Sequence, residues 1–572
     1  MKEFSRFRWQ RHHSALLLWL SLLAGSVWLT GLGRVPLINW NGRSLIGQFW
    51  LAMFHPSLAG DFLGVMAEAT VTTFAFAVCG TTLSLGVGLV GGVLCSRVWW
   101  HVWWPGPVGM GLWRGVRGAM AIPRAIHELI WGLLLLSVLG LDSIVGVLAI
   151  AIPFGAITAK VFAEILDETP TEPLAALINS GVRPSVAFFY GHFPQALPNL
   201  ISYSFYRFEC SLRAAAVLGV IGAGGLGQQI LISLNALRYE ELWTGFYALM
   251  LLNGCVDMWS ARLRREMGFV GRMELASGKS REKSRALSRR RGSTLGATGQ
   301  RAAGEKIFVM GSLGAIAIAV PLCFAHLQLD WSRVGRASIL IGELAPKVSP
   351  ERVLPEFSVS LLPLAVQTVA MAVLAITLAG IGGVVFSFPA AQNFFLPGGV
   401  LSSVGEDGRW SFGHVGLVST RVILLAARAI PAPILALVIL YGMFPGILPG
   451  ALALAIHNFG ILGRLMAEVN ENLLEAPLRG LRSLGATGSG IIFYGILPTN
   501  LARFLAYILY RWEVCLRETV IVGLVGAGGL GRLMTEQLSS FDYSGLAATL
   551  TVFVLLTVAV DFVSGWMRAA VQ

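Results

Sequence analysis

Charge is what this sequence has least of. Only 13% of its 572 residues are Asp, Glu, Lys or Arg, and 55% are hydrophobic; a soluble chain carries about 25% charged residues. That shortfall, with a mean hydropathy of +0.70, excludes a water-soluble globular domain. Cysteine is scarce as well. Cys79, Cys95, Cys210, Cys255, Cys323 and Cys515 all lie in apolar runs with no C-x-x-C spacing, so they read as small buried hydrophobes and not as a disulfide framework or metal site. There is no G-x-x-x-x-G-K-[ST] string and hence no P-loop nucleotide site. His127, His192 and His457 have no metal-ligand spacing, and no nucleophile–base set stands out; a metal centre and an enzyme are both disfavoured. No A-x-A site stands at the end of the first apolar run and further spans come after it, so that run is expected to stay as an uncleaved helix.

Long apolar runs are abundant. "ALLLWLSLLAGSVWLTGLG" from Ala15 and "KIFVMGSLGAIAIAVPLCFAHL" from Lys306 are long enough to cross a hydrocarbon core, which takes about 20 helical residues. They are too long for barrel strands, which predicts an all-α polytopic membrane protein. The net charge of +12 suggests nucleic acid at first sight. The basic residues, however, gather at the N-terminus "MKEFSRFRWQRHH" and between Arg262 and Lys306. Basic loops beside spans mark the cytoplasmic side, so topology accounts for the charge and no nucleic-acid partner is expected.

The chain repeats itself. "YRFECSLRAAAVLGVIGAGGLG" (Tyr206–Gly227) aligns without gaps on "YRWEVCLRETVIVGLVGAGGLG" (Tyr510–Gly531), 304 positions on. The same offset pairs Arg124 with Arg428, Glu164 with Glu468, Tyr190 with Tyr494, Pro194 with Pro498, Asp257 with Asp561 and Ser260 with Ser564, the mark of an internal duplication. Spans are expected near 14–34, 62–95, 119–140, 142–166, 193–220 and 243–262, then near 306–327, 358–386, 421–442, 447–469, 497–523 and 545–566, about twelve in total. The division is a first transmembrane half at 1–262, a basic linker at 263–305 and a second half at 306–572. An even count per half places the N-terminus and linker in the cytoplasm and inserts both halves the same way round.

Each repeat holds G-A-G-G-L-G, a literal G-x-G-x-x-G: Gly222, Gly224 and Gly225 in the first, Gly526, Gly528 and Gly529 in the second. A dinucleotide fingerprint needs a preceding strand and a βαβ unit, whereas here a membrane-length helix precedes it. Close helix packing and an anion-attracting nest of backbone N–H groups are the two remaining readings.

Just upstream, Glu209 and Arg213 are four residues apart, as are Glu513 and Arg517, the favourable helical spacing. Charges in a membrane are costly and must face the protein interior or a wet cavity. Either each pair neutralises itself, or Arg213 and Arg517 converge on a central anion path, where a guanidinium offers a bidentate fork to an oxyanion. Arg124, Arg428, Glu164 and Glu468, the last two with Lys160 and Arg464 one turn before them, read as gate or structural ion pairs. Between the fourth and fifth spans, "ETPTEPLAALINSGVRPSVAFFYGHFP" and "ENLLEAPLRGLRSLGATGSGIIFYGILP" each carry a glycine (Gly181, Gly485) followed by a proline (Pro194, Pro498) at the next span. Their recurrence points to a shared docking surface.

These strings, with "RAIHELIWGLLLL", "GVLAIAIPFGAITAKVFAEIL" and "DMWSARLRRE" and their second-half counterparts, resemble the permease subunit of phosphonate-type ABC importers, duplicated and fused. The resemblance covers about 150 residues of each half. It implies the transmembrane fold of a type I ABC importer and import of a small phosphorus oxyanion (phosphonate, phosphite or phosphate) across a bacterial inner membrane. Methionine, glycine betaine, thiamine and ferric iron importers are the alternative. It further implies a periplasmic or lipid-anchored binding protein and two cytoplasmic ATPase subunits, which would hold the ATP and Mg. The docking loops would engage those subunits through Leu177, Gly181, Pro194, Leu481, Gly485 and Pro498. The sequence departs from the family's E-A-A start, with Ala175-Ala176-Leu177 and Arg479-Gly480-Leu481 in its place, and its halves differ where His127 matches Pro431 and Ala214 matches Glu518.

Overall fold

A backbone surrounded by lipid must satisfy its own hydrogen bonds, and a chain of apolar runs does so by coiling. In the computed structural model, which describes residues 2–31, 36–267, 298–335, 360–395 and 412–571 and a few short turns between 342 and 356, helices dominate and no strand occurs among the described residues; one isolated backbone bridge joins Ile38 to Met443. The helices that matter below are α1 (Lys2–Leu29), α2 (Arg43–Ala52), α3 (Gly60–Cys95), α4 (Arg97–Trp103), α5 (Pro107–Ala125), α6 (Glu128–Leu139), α7 (Ser143–Glu168), α8 (Glu172–Asn179), α9 (Phe193–Gly219), α10 (Gly225–Asn235), α11 (Tyr239–Glu266) and α12 (Thr298–Leu327). They continue as α13 (Leu361–Ala390), α14 (Phe412–Ala429), α15 (Ala432–Gly442), α16 (Ile447–Glu471), α17 (Glu475–Ser483), α18 (Leu497–Val522), α19 (Gly529–Ser539) and α20 (Tyr543–Val571).

Seven helices are long and apolar enough to cross a membrane, or nine if each of two bent pairs is one span. The bent pairs correct the sequence expectation. The runs at 119–140 and 421–442 were expected to be single spans, but α5 meets α6 at 84° and α14 meets α15 at 95°. Apolar residues resume directly after both corners. What breaks the helices is the extended backbone of Ile126, His127 and Pro431. The His127 side chain caps α6 by accepting from the Leu129 N–H at 3.2 Å. Three other expected spans fold as helices, His13–Leu29, α9 and α11, but fall short of that test; α9 carries Arg207, Glu209 and Arg213 in its second half.

The chain divides into two compact units, one of residues 57–340 and one of residues 1–56 with 341–572. In each, the second and fourth spans of a repeat form the centre. In the 57–340 unit α3 lies along α7 through glycines that repeat on one face: added methyl groups would stand 2.8 Å from Ile150 at Gly80, 2.8 Å from Ala159 at Gly91 and 2.6 Å from Phe162 at Gly92. Small residues let membrane helices approach closely where the hydrophobic effect gives no drive. In the other unit α13 meets α16 in the same way, at Gly382 and Gly383. The apolar windows of α7 and α16 are 72% and 61% buried, against 11% for α12, so α12 belongs to the periphery.

The units cut the chain elsewhere than the repeat does. α12, the first span after the linker, packs on α3 with Cys323 and Leu327 in the core cluster of Phe76, Ile150 and Leu218. Its end is tied down where Arg333 pairs with Asp142 at 3.1 Å. The N-terminal α1 sits in the unit of the second repeat, where Trp19 meets Trp512 edge-on at 5.2 Å. There the turn before α2 is bound by the Asn39 N–H donating to Gly442 O at 2.8 Å. Each first span is thus found with the other repeat's remaining spans, and each unit holds six span-length elements. Most of the expected 263–305 linker lies outside the described residues.

Candidate functional site: the charged span, the glycine turn and the paired loops

The glycine string follows helix α9 or α18 and opens helix α10 or α19, so the strand that a dinucleotide fold requires is missing. Three glycines per turn take left-handed backbone: Gly222, Gly224 and Gly225 at φ +91°, +107° and +75°, and Gly526, Gly528 and Gly529 at +99°, +86° and +71°. The turn folds back so tightly that a methyl on Gly219 would be 2.7 Å from the Gly227 Cα, and one on Gly523 would be 2.8 Å from the Gly531 Cα. The N–H of Leu226 donates to the Thr73 hydroxyl at 2.8 Å, and that of Leu530 to the Thr368 hydroxyl at 3.0 Å. An amide of each turn is therefore spent on pinning it to α3 or α13. An L side chain in left-handed backbone costs about 1–2 kcal/mol, and at Gly225 it would also overlap Thr73. Gly225→Ala should lower the thermal midpoint of the detergent-solubilised chain; an unchanged midpoint would mean the turn is not part of the packed core.

The carboxylates upstream choose partners other than those one turn along. Glu209 is buried and accepts from the Ser260 hydroxyl at 2.6 Å, with Arg264 of α11 paired at 3.1 Å. The second repeat does the same, Glu513 pairing with Arg568 of α20, which also donates to the Ser564 hydroxyl at 2.9 Å. Arg213 and Arg517, one turn after those carboxylates, are both half-buried. Arg213 reaches Cys210 Sγ at 3.5 Å and lies in the field of Asp257.

A second cation sits on the same helix two residues before each carboxylate. Arg511 is closed in by its own repeat: its Nε donates to Asn458 Oδ1 at 2.8 Å and its Nη2 to Glu518 Oε1 at 2.8 Å, while Asn458 Nδ2 donates to Glu518 Oε2 at 2.9 Å. Arg207 has the Tyr203 hydroxyl at 2.9 Å and the Phe154 ring 4.5 Å from its guanidinium carbon.

At the ends of α7 and α16, Lys160 pairs with Glu164 at 3.8 Å and Arg464 with Glu468 at 3.0 Å, as their one-turn spacing predicts. Arg124 and Arg428 stand on the last turns of α5 and α14, beside the corners. The loops that follow α7 and α16 are matched hairpins. α8 and α17 end on glycines in left-handed backbone, Gly181 at +82° and Gly485 at +85°. In both, the next N–H reaches back, Val182 to Leu177 O and Ala486 to Leu481 O, each at 3.1 Å; this is the Schellman stop. A π turn then returns the chain, at 188–192 and 491–496. Leu177 packs on Gly191 and Leu481 on Gly495, with Pro194 and Pro498 in the first turns of α9 and α18. What these hairpins present outward is aromatic: Tyr190 is 81% exposed and Tyr494 84%, each beside an exposed Phe189 or Phe493.

With this geometry set out, the relatives can be compared. The model of the binding-protein-dependent transport system inner membrane component family matches residues 49–267 and again 396–572. The chain belongs to this family, as a permease duplicated within one polypeptide. It is 27% identical over 513 residues to the phosphate-import permease protein of Mycolicibacterium smegmatis, covering 89% of this chain and 85% of that one. It is 32% identical to the phosphite transport system permease protein of Stutzerimonas stutzeri, over 36% of this chain and 68% of the relative. A methionine import system permease protein of Bacillus subtilis is more distant, 28% identical over 23% of this chain and 64% of its own length. No solved structure matches the chain.

In this permease the residues that sequence reasoning missed are Arg264 and Arg568, Arg207 and Arg511, and the exposed aromatic pairs. The first four stood inside strings the repeat had already marked; the missing signal was which helix faces which. Phe189 and Phe493 run on into the next apolar segment, where composition reads them as membrane and not as contact surface.

Proposed function

We propose that this permease is the transmembrane subunit of an ATP-driven importer for a phosphorus oxyanion, with phosphate, phosphite and phosphonate as the substrate class. The observation that carries the reading is the likeness to a phosphate-import permease along nearly the whole chain. The chemistry of the span agrees with it, since Arg213 and Arg517 sit at matching positions of the two repeats and a planar guanidinium fork suits a tetrahedral oxyanion. A binding protein would deliver the anion to the outer face of a bacterial inner membrane. Two ATPase subunits would dock on the hairpins at Gly181 and Gly485 from the cytoplasm, the side that also holds the N-terminus and the basic linker. Arg213 and Arg517, half-buried at matching positions of α9 and α18, would line the path.

The test is reconstitution in liposomes with the cognate ATPase and binding protein. ATP-dependent uptake is expected for a phosphorus oxyanion and not for methionine, with no ATP hydrolysis by the permease alone. Arg517→Ala should cut uptake about tenfold while the complex still copurifies. Uptake of methionine in preference to any phosphorus oxyanion would replace this reading with the amino-acid one, and full uptake by Arg517→Ala would remove that arginine from the path.

A further inference from the structure

We propose that Arg207 of the first repeat is an oxyanion-binding residue of the conduit and that its second-repeat counterpart Arg511 has been silenced by an internal carboxylate. The inference rests on the oxyanion-transport reading above. The two arginines occupy matching positions of α9 and α18 and are equally hidden, 6% and 8% exposed. Their surroundings differ at the two positions that decide charge. Where Arg511 has Asn458 and Glu518, Arg207 has Phe154 and Ala214, while a tyrosine one turn earlier, Tyr203 or Tyr507, is common to both.

The consequence is electrostatic. A buried ion is compensated when a counter-ion and hydrogen bonds replace its hydration, and one left alone costs several kcal/mol. Arg511 is compensated in full by the Asn458–Glu518 pair. Arg207 pairs with no carboxylate among the described residues. One Nη reaches a phenol, its Nε is buried with no acceptor, and the rest of the plane faces the Phe154 and Tyr203 rings. A cation–π contact contributes about 0.5–2 kcal/mol, less than a lost counter-ion takes away. A guanidinium in that state binds a small anion strongly, because the anion restores the missing charge and accepts from the unsatisfied Nε. The second repeat shows that the fold has a ready way of neutralising this position and that the first repeat does not use it.

The experiment transplants the second repeat's neutraliser. Phe154→Asn with Ala214→Glu reproduces an arrangement this fold already carries, and Phe154→Asn with Ala214→Gln has the same shape without the charge. Both are made in the full chain, assembled with its ATPase and binding protein. Two readouts are taken: broadening of the 31P resonance of inorganic phosphate by the permease in nanodiscs, and ATP-driven phosphate uptake in liposomes. The Glu variant is expected to lose the broadening and at least tenfold of the uptake relative to the Gln variant. Equal behaviour of the two variants would overturn the assignment, as would the absence of broadening by the parent chain. Charge-dependent binding without phosphate uptake would keep the site and overturn the transport reading instead.

Discussion

Glu209→Ala is expected to destabilise the 57–340 unit by about 3–5 kcal/mol, the cost of breaking a buried ion pair from one side. The Glu209 side chain is 3% exposed and its partner Arg264 13%, so truncation strands a guanidinium where water barely reaches. It also takes the acceptor from the Ser260 hydroxyl. Replacing both members by apolar residues of similar size, Glu209→Leu with Arg264→Met, should recover most of the loss, because the desolvation of both charges disappears together. The measurement is a thermal melt in detergent across the parent, the single and the double variant. In the second repeat Arg568 is 28% exposed, so Glu513→Ala should cost less. A single variant as stable as the parent would show that the Glu209 pair is hydrated and carries no structural role.

The same pair shows where reading the sequence stops. The repeat, the all-helical architecture and the positions of most spans were legible, because apolar length and internal similarity are properties of contiguous segments. The partner of Glu209 was not. Sequence offers only the neighbour one turn along, Arg213, while the structure supplies Arg264 from another helix, 55 residues away. The exchange of first spans is hidden for a related reason: similarity says that α1 and α12 correspond, not which bundle each joins. The corners at His127 and Pro431 escaped because apolar residues resume directly after them. The glycine turn was half legible. Its six residues are those of a nucleotide loop, and the helix before it excluded that. How the turn is held needed Thr73 and Thr368, more than 150 residues upstream of the turns they bind.

The largest functional loss is expected at the hairpins. Single exposed aromatics are ordinary on any protein surface, but Phe189–Tyr190 and Phe493–Tyr494 stand at the same point of two hairpins in which Leu177 and Leu481 are folded against Gly191 and Gly495. The hairpin's internal packing fixes its shape and leaves Tyr190 and Tyr494 turned outward. Aromatic anchors at the centre of an interface cost about 2 kcal/mol or more on truncation, roughly 30-fold in affinity. If each hairpin holds an ATPase subunit, as proposed, removing both anchors should exceed removing either. Tyr190→Ala with Tyr494→Ala is therefore expected to abolish copurification of the ATPase and reduce ATP-driven uptake by about a hundredfold. The thermal midpoint of the permease should not move, because neither ring is part of its core. A double variant that still binds its ATPase at parental affinity would transfer the docking role to Leu484 and the outer face of α17, where the second hairpin also exposes apolar surface.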